Sequence, residues 1–190
     1  MNMHFHLKSK FGVLLFATLT AGAFAQQTDW SGKNIDVSLR DKRIDGFNFE
    51  NAKAVKNVTN FQRANATAQP VSFRGADLRE VGFQNAVMNN PDFREANLEK
   101  AILSGADLRG SDFKEANLKG ANLYRATLLD SRFPKANLEN ARLDAMKVSD
   151  QADFSKANLK NASFIDVDLT QADFSDADLT NTNFSRSLMG

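Results

Sequence analysis

From Phe73 onward an apolar side chain returns every five residues. The series is Phe73, Leu78, Phe83, Met88, Phe93, Leu98, Leu103, Leu108, Phe113, Leu118, Leu123, Leu128, Phe133, Leu138, Leu143 and Val148. After one extra residue it resumes at Phe154, Leu159, Phe164, Leu169, Phe174, Leu179 and Phe184. A small residue, usually alanine, stands two places before most of these, so the unit reads Ala-(Asp/Asn)-(Leu/Phe)-x-x. A period of five matches neither a 3.6-residue helix nor the two-residue alternation of a strand. It fits a chain that turns every five residues and points one large and one small side chain inward per side. Self-similarity at a fixed short period marks a solenoid.

A longer clock runs inside the short one. Sorting every fourth repeat gives a column of phenylalanine: Phe73, Phe93, Phe113, Phe133, Phe154 and Phe174. The next column is all leucine, from Leu78 to Leu179. The third mixes Phe83, Leu103, Leu123, Leu143, Phe164 and Phe184, and the fourth runs Met88, Leu108, Leu128, Val148, Leu169, Met189. Four repeats therefore make one coil, and each column is one wall of a square tube. Phe113 should lie over Phe93 and under Phe133, at the roughly 4.8 Å spacing of hydrogen-bonded strands.

The stretches "GADLRG", "EANLKGANLYRATLLD", "KANLENARLD" and "QADFSDADLTNTNF" resemble the pentapeptide-repeat family. The resemblance covers about residues 71–190. It implies an all-β chain, a right-handed quadrilateral parallel β-helix of about six coils. The four-column sorting points to the same shape independently.

The flanks read differently. Lys8 and Lys10 precede an apolar run from Phe11 to Ala25 that ends in Ala23-Phe24-Ala25, the form of a cleaved signal peptide over residues 1–25. That run is shorter than the roughly 20 residues of a spanning helix. The expectation is a periplasmic or secreted protein with no membrane span after cleavage. In residues 26–70, Leu39, Ile44, Phe49 and Ala54 keep the five-residue step without the alanine signature, and "TNFQRANATAQPV" breaks phase. This suggests a degenerate first coil or cap, followed by a loop, with room for a short helix over Glu50 to Asn57. The extra residue in Ser149 to Gln151 reads as a harmless corner bulge.

Composition narrows the chemistry. There is no cysteine, and both histidines, His4 and His6, fall in the signal segment. Residues 26–190 thus lack the groups for Ser-His-Asp or Cys-His catalysis and for thiolate or imidazole metal sites. A paired-carboxylate mechanism survives on composition, and Asp92 and Asp112 stack on one wall, but that spacing recurs throughout for structural reasons. No catalytic residue, cofactor or metal is expected. Of 24 Lys and Arg, removing Lys8 and Lys10 leaves 22 against 23 Asp and Glu, a net charge of −1. That balance gives no basic patch for nucleic acid. It also lacks the strong acidity of a DNA mimic. The resemblance still raises one alternative, a gyrase-binding protein of the quinolone-resistance type, which the signal segment and the near-neutral charge oppose.

What remains is a non-enzymatic binding or scaffold rod for a protein partner. Asn97, Asn117, Asn137 and Asn158 form an amide column on the leucine wall, beside alternating Arg79, Glu99, Lys119, Glu139 and Lys160. This reads as turn chemistry and self-neutralising charge. Outward apolar residues are more informative. Ile102, Tyr124 and Ile165 on the third wall, with Leu129 and Val87 on the fourth, could form a strip. At the C-terminus, Phe184, Leu188 and Met189 could meet a second copy end to end, because no capping segment follows and open solenoid edges are a liability. Some members of the resembled family dimerise through this end. Phe164 to Leu179 is acidic without Lys or Arg, so charge changes along the rod.

Overall fold

The computed structural model describes residues 28–35, 37–149 and 151–190. The signal-peptide reading over 1–25 lies outside the described residues, as does Asp150 in the slip.

One side of the tube shows how the repeat works. Phe93 and Ala96 are fully buried. Asp92, just before Phe93, bridges in parallel to Ser72 below and Asp112 above. The Phe93 amide donates to the Asp112 carbonyl at 2.9 Å, and the Asp92 amide to the Val71 carbonyl at 2.9 Å. The Ala96 amide then donates back to the Phe93 carbonyl at 3.1 Å, closing a four-residue turn. Its third residue, Glu95, has φ 61°. A type II turn needs positive φ there, at a cost of roughly 1–2 kcal/mol for a residue with a side chain. Lys100, Arg125 and Ala145 accept the same conformation. The ladders on either side therefore hold the corners, because local preference would have selected glycine.

The architecture is the expected quadrilateral parallel β-helix. Two-residue strands appear on the second and fourth walls: β1 (Asn34–Ile35) pairs with β2 (Lys53–Ala54), and β3 (Asn65–Ala66) with β4 (Val87–Met88). β5 (Thr127–Leu128) pairs with β6 (Lys147–Val148), and β7 (Asp168–Leu169) with β8 (Leu188–Met189). Elsewhere single bridges make the rungs. On the first wall they run Asp29, Asn48, Ser72, Asp92, Asp112, Arg132, Asp153, Asp173. The described residues thus form eight coils: 28–47, 48–71, 72–91, 92–111, 112–131, 132–152, 153–172 and 173–190. At strand spacing the rod is about 34 Å long. The phenylalanine column stacks as expected, with Phe113 4.9 Å from Phe93 and 4.8 Å from Phe133, and rings within 4° of parallel. Each such buried side chain contributes roughly 1.5–3 kcal/mol.

Residues 28–70 form two coils where the sequence suggests one coil and a loop. Trp30, Ile35, Leu39 and Ile44 fill the first, and Phe49, Ala54, Phe61 and Ala66 the second. Phe61 stacks on Phe83 at 4.9 Å and 4°. The phase break is two slips of two residues, between Ala54 and Phe61 and between Ala66 and Phe73. Glu50 to Asn57 carries β2 and turns, with no helix. The first slip is tied inward: the buried Thr59 hydroxyl donates to the Ile35 carbonyl and accepts from the Val55 amide at 2.8 Å.

The slip at Ser149 to Gln151 does more than bulge a corner. Successive coils are bridged on every wall except at one step. Among the described residues, nothing bridges β6 to β7, so the fourth-wall ladder stops at Lys147–Val148 and restarts at Asp168–Leu169.

Candidate interaction surfaces

Core and corner residues account for most of the chain, so surfaces are sought where that pattern fails. Among the described residues, no group of three His, Cys, Asp or Glu could hold a metal ion. Among them, no helix is long and apolar enough to cross a membrane.

The columns proposed from sequence as turn chemistry are hydrogen-bonded to themselves. Asn117 donates its amide to Asn97 at 3.0 Å, Asn137 to Asn117 at 3.2 Å and Asn158 to Asn137 at 3.1 Å. Lys119 pairs with Glu139 at 2.9 Å, while Arg79 turns to Asp77 at 2.7 Å. On the first wall Arg94 grips Asp92 at 2.6 Å and Arg132 grips Asp112 at 2.7 Å. Burial raises the Asp92 carboxyl's pKa, but the Arg94 hydrogen bonds outweigh this and hold it below its ordinary value. These walls satisfy themselves.

The third-wall strip is interrupted. Ile102 is exposed, but Tyr124 and Ile165 are half-buried. The Tyr124 ring carries the Arg142 guanidinium at 4.3 Å and that of Arg125 at 5.0 Å. One coil above Tyr124 in the same column sits Asp144, only 9% exposed. It accepts from Ser163 Oγ at 2.5 Å, Arg142 Nε at 2.7 Å and the Ile165 amide at 3.0 Å. Desolvation raises its pKa, and these bonds more than offset it, leaving the carboxyl below its ordinary range. A polar cluster therefore separates Tyr124 from Ile165. Leu129 is half-buried on the fourth wall, on a different face from both.

The C-terminal coil is open. Phe174 and Phe184 are only partly buried, and Leu179, Met189 and Leu188 reach 38%, 48% and 61% exposure. In earlier coils the amide of each inward residue donates one coil onward, as Leu159 does to the Asp178 carbonyl at 2.9 Å. The amides of Phe174, Leu179, Phe184 and Met189 have no such acceptor among the described residues. Asp168, Asp173 and Asp178 lie on these last turns, with pKa values lowered by hydrogen bonds from Thr170, Ser175 and Thr180 respectively. The end is apolar in its core and anionic at its rim.

A second place was missed from sequence. A groove of about 410 Å³ runs along the corner between the second and third walls, beside the slip at 55–59. Val58 on the bulge is 41% exposed and Ile102 on the wall 37%. Gly82 lies between them, where a Cβ would meet Gln84 Oε1 at 2.6 Å. Gln84 folds into that space, and its buried Oε1 has no hydrogen-bond partner. Arg40, Lys56, Arg79 and Glu80 also line the groove. The signal available in sequence was the extra length between Ala54 and Phe61 together with a glycine at an outward wall position.

Comparison with known proteins places the repeat. The family model for pentapeptide repeats matches in eight copies over residues 92–130, 106–145 and 150–188. No curated protein matches the chain. Among solved structures, the chain is similar to HetL, a pentapeptide repeat protein involved in heterocyst differentiation regulation from the cyanobacterium Nostoc sp. strain PCC 7120. The identity is 21%, over 86% of this chain and 92% of that one, with a TM-score of 0.35. It is similar to QnrB1, a plasmid-mediated fluoroquinolone resistance protein, at 14% identity over 85% and 89%, TM-score 0.40. It is also similar to Rfr23 from the cyanobacterium Cyanothece 51142, at 18% identity over 90% and 92%, TM-score 0.35.

Proposed function

Since the chain is a pentapeptide-repeat protein, we propose that it is an exported, non-enzymatic binding module: a rigid rod that presents its C-terminal coil to a protein partner. The observation that carries this reading is the distribution of exposed apolar side chains. The large exposed hydrophobics of the described residues are Val58, Ile102, Leu179, Leu188 and Met189. They gather in the groove and on the last coil, whereas the side walls between are closed by their own amide and ion-pair ladders. Contiguous exposed apolar surface marks interaction sites. A rod whose core is filled leaves recognition to its surface and ends. Association through Phe184, Leu188 and Met189, with a second copy as the simplest partner, belongs to the same reading. So does export to the periplasm or beyond, which rests on the residue 1–25 pattern.

Crosslinking in native cells, with wild type compared against Leu188→Asp, tests the surface. The reading expects a specific crosslinked species that the substitution removes. An unchanged pattern overturns it. Mass spectrometry of the purified protein's N-terminus tests export and should find Gln26 first; retention of Met1 would contradict it. Inhibition of gyrase supercoiling would favour the alternative inferred from the family resemblance.

A further inference from the structure

Arginine on this rod is nearly always matched by an acid. Arg40, Arg43, Arg63, Arg74, Arg79, Arg94, Arg109, Arg132, Arg142 and Arg186 each form an ion pair with an Asp or Glu. Arg125 is exposed and has no such pair among the described residues. Its guanidinium lies instead over the Tyr124 ring at 5.0 Å, and Arg142 shares that ring at 4.3 Å. Arg142 Nε donates to Asp144 at 2.7 Å, and Asp144 is buried and fixed from the next coil by Ser163 and the Ile165 amide. Two positive charges therefore meet one negative charge at this ring. Asp166, farther along the same corner, is already held by Nε and Nη2 of Arg186 at 2.6 and 2.7 Å.

We propose that this third-wall cluster is a recognition site for a carboxylate side chain of a protein partner, with Arg125 and Arg142 as donors and Tyr124 as the platform that holds them. The site is independent of the last coil, since Tyr124 lies in coil 112–131. A guanidinium carries five N–H donors in a planar fork that matches a carboxylate. Arg125 offers its whole fork, and Arg142 offers the donors that it does not give to Asp144. The ring attracts both cations, so their side chains are partly ordered before a ligand arrives and less freedom is lost on binding. One uncompensated positive charge matches a monoanionic carboxylate, whereas a phosphate dianion would leave the cluster negative. Ile102, exposed one rung below Asn122, and half-buried Ile165 give the cluster apolar flanks. Tyrosine and arginine are the side chains over-represented at the energetic centres of protein interfaces. The polar break in the apolar strip is thus the centre of the surface, and attraction to it should weaken with added salt.

The test uses isotope-labelled protein expressed from the full sequence, with a synthetic hexaglutamate peptide as the probe and constant ionic strength. The Nε–H resonances of Arg125 and Arg142 and the Tyr124 ring resonances should move along one saturable curve. Arg125→Gln should weaken binding about tenfold or more, the loss of charge-assisted hydrogen bonds, and Tyr124→Leu should weaken it as well. Arg109→Gln removes a paired arginine of the fourth wall and should leave binding unchanged, as should Leu188→Asp. Matching melting curves confirm that each form folds. Absence of a saturable shift overturns the proposal. So does equal weakening by Arg125→Gln and Arg109→Gln, which would mean diffuse charge attraction. Tighter binding of inorganic phosphate than of the peptide would make the cluster a phosphate site and overturn the carboxylate assignment. Loss of binding in Leu188→Asp would move the contact to the last coil and overturn it too. None of the first three results bears on the last coil, which the crosslinking comparison tests separately.

Discussion

Two slips in the repeat have opposite effects. Between Ala54 and Phe61 the chain carries two extra residues, yet every rung around it is made: Lys53 bridges to Asp77, and Asn60 to both Ser38 and Gly82. Between Val148 and Phe154 it carries one extra residue, and a rung on the fourth wall is lost. Size of insertion does not decide the outcome. The longer slip makes its own turn, with the Val58 and Thr59 amides both donating to the Val55 carbonyl at 3.0 Å, and Thr59 ties it to the coil below. The shorter slip sits where the strand itself should begin its next rung. The Ser149 hydroxyl and carbonyl are spent on the Asp130 and Ala152 amides, at 3.2 and 3.1 Å. A solenoid tolerates extra chain where the added residues satisfy their own backbone groups, as Val58 and Thr59 do.

The largest effect should come from the part both slips leave intact. Phe113→Ala opens a cavity in a column with rings packed above and below, and should cost about 3–5 kcal/mol by urea unfolding. Val58→Ala on the bulge should change stability by less than about 0.5 kcal/mol. A result for Phe113→Ala as small as that would mean the column does not carry the tube. Next, Thr59→Val keeps the shape but removes the hydroxyl that bridges the Ile35 carbonyl and the Val55 amide, which stay bonded to each other at 3.2 Å. It should cost about 0.5–1.5 kcal/mol by urea unfolding, the net contribution of a hydrogen bond whose partners keep another.

Deleting Gln151 sharpens the comparison from the other side. It restores the five-residue period, and if the lost rung re-forms, the Asp168 amide should exchange about fivefold more slowly, the equivalent of roughly 1 kcal/mol for one hydrogen bond. No slowing would mean that something other than the extra residue parts β6 from β7. The smallest effect concerns pH. Asp144 has its pKa lowered in the fold, so its contribution is present above its unfolded value, near about 3.9, and fades as pH falls through the lower folded value. Melting temperature should hold from neutral pH down to about 5 and drop below about 4, with Asp144→Asn reducing the drop.

Much of this was legible in the sequence because a repeat states its geometry many times. The twenty-residue recurrence of phenylalanine gave the four walls, and Phe93, Phe113 and Phe133 stack where it put them. The first two coils were harder to read, because Trp30, Ile35 and Ala54 fill their columns without the alanine signature and the spacing drifts. Phe61 and Ala66 fall in the stretch that the sequence suggests is a loop, since period alone cannot find a column across a seven-residue side. Ile102, Tyr124 and Ile165 were correctly placed outside the core columns, but sequence spacing could not show two guanidiniums on the tyrosine or the Asp144 cluster beyond it. The groove depends on a bulge, a glycine and a folded-back glutamine from three coils, a conjunction no local pattern announces.

The described residues form one continuous tube from residue 28 onward, weakened among them at the rung between β6 and β7. Amide hydrogen exchange measured residue by residue tests it most directly. The account predicts that Leu39, Phe61 and Ala64 are protected like Leu98, Leu118 and Leu138, while Val148 and Asp168 exchange with the fast amides of Phe174, Leu179 and Phe184. Fast exchange across 37–70, or protection at Val148 and Asp168 equal to that of their neighbouring coils, would contradict it.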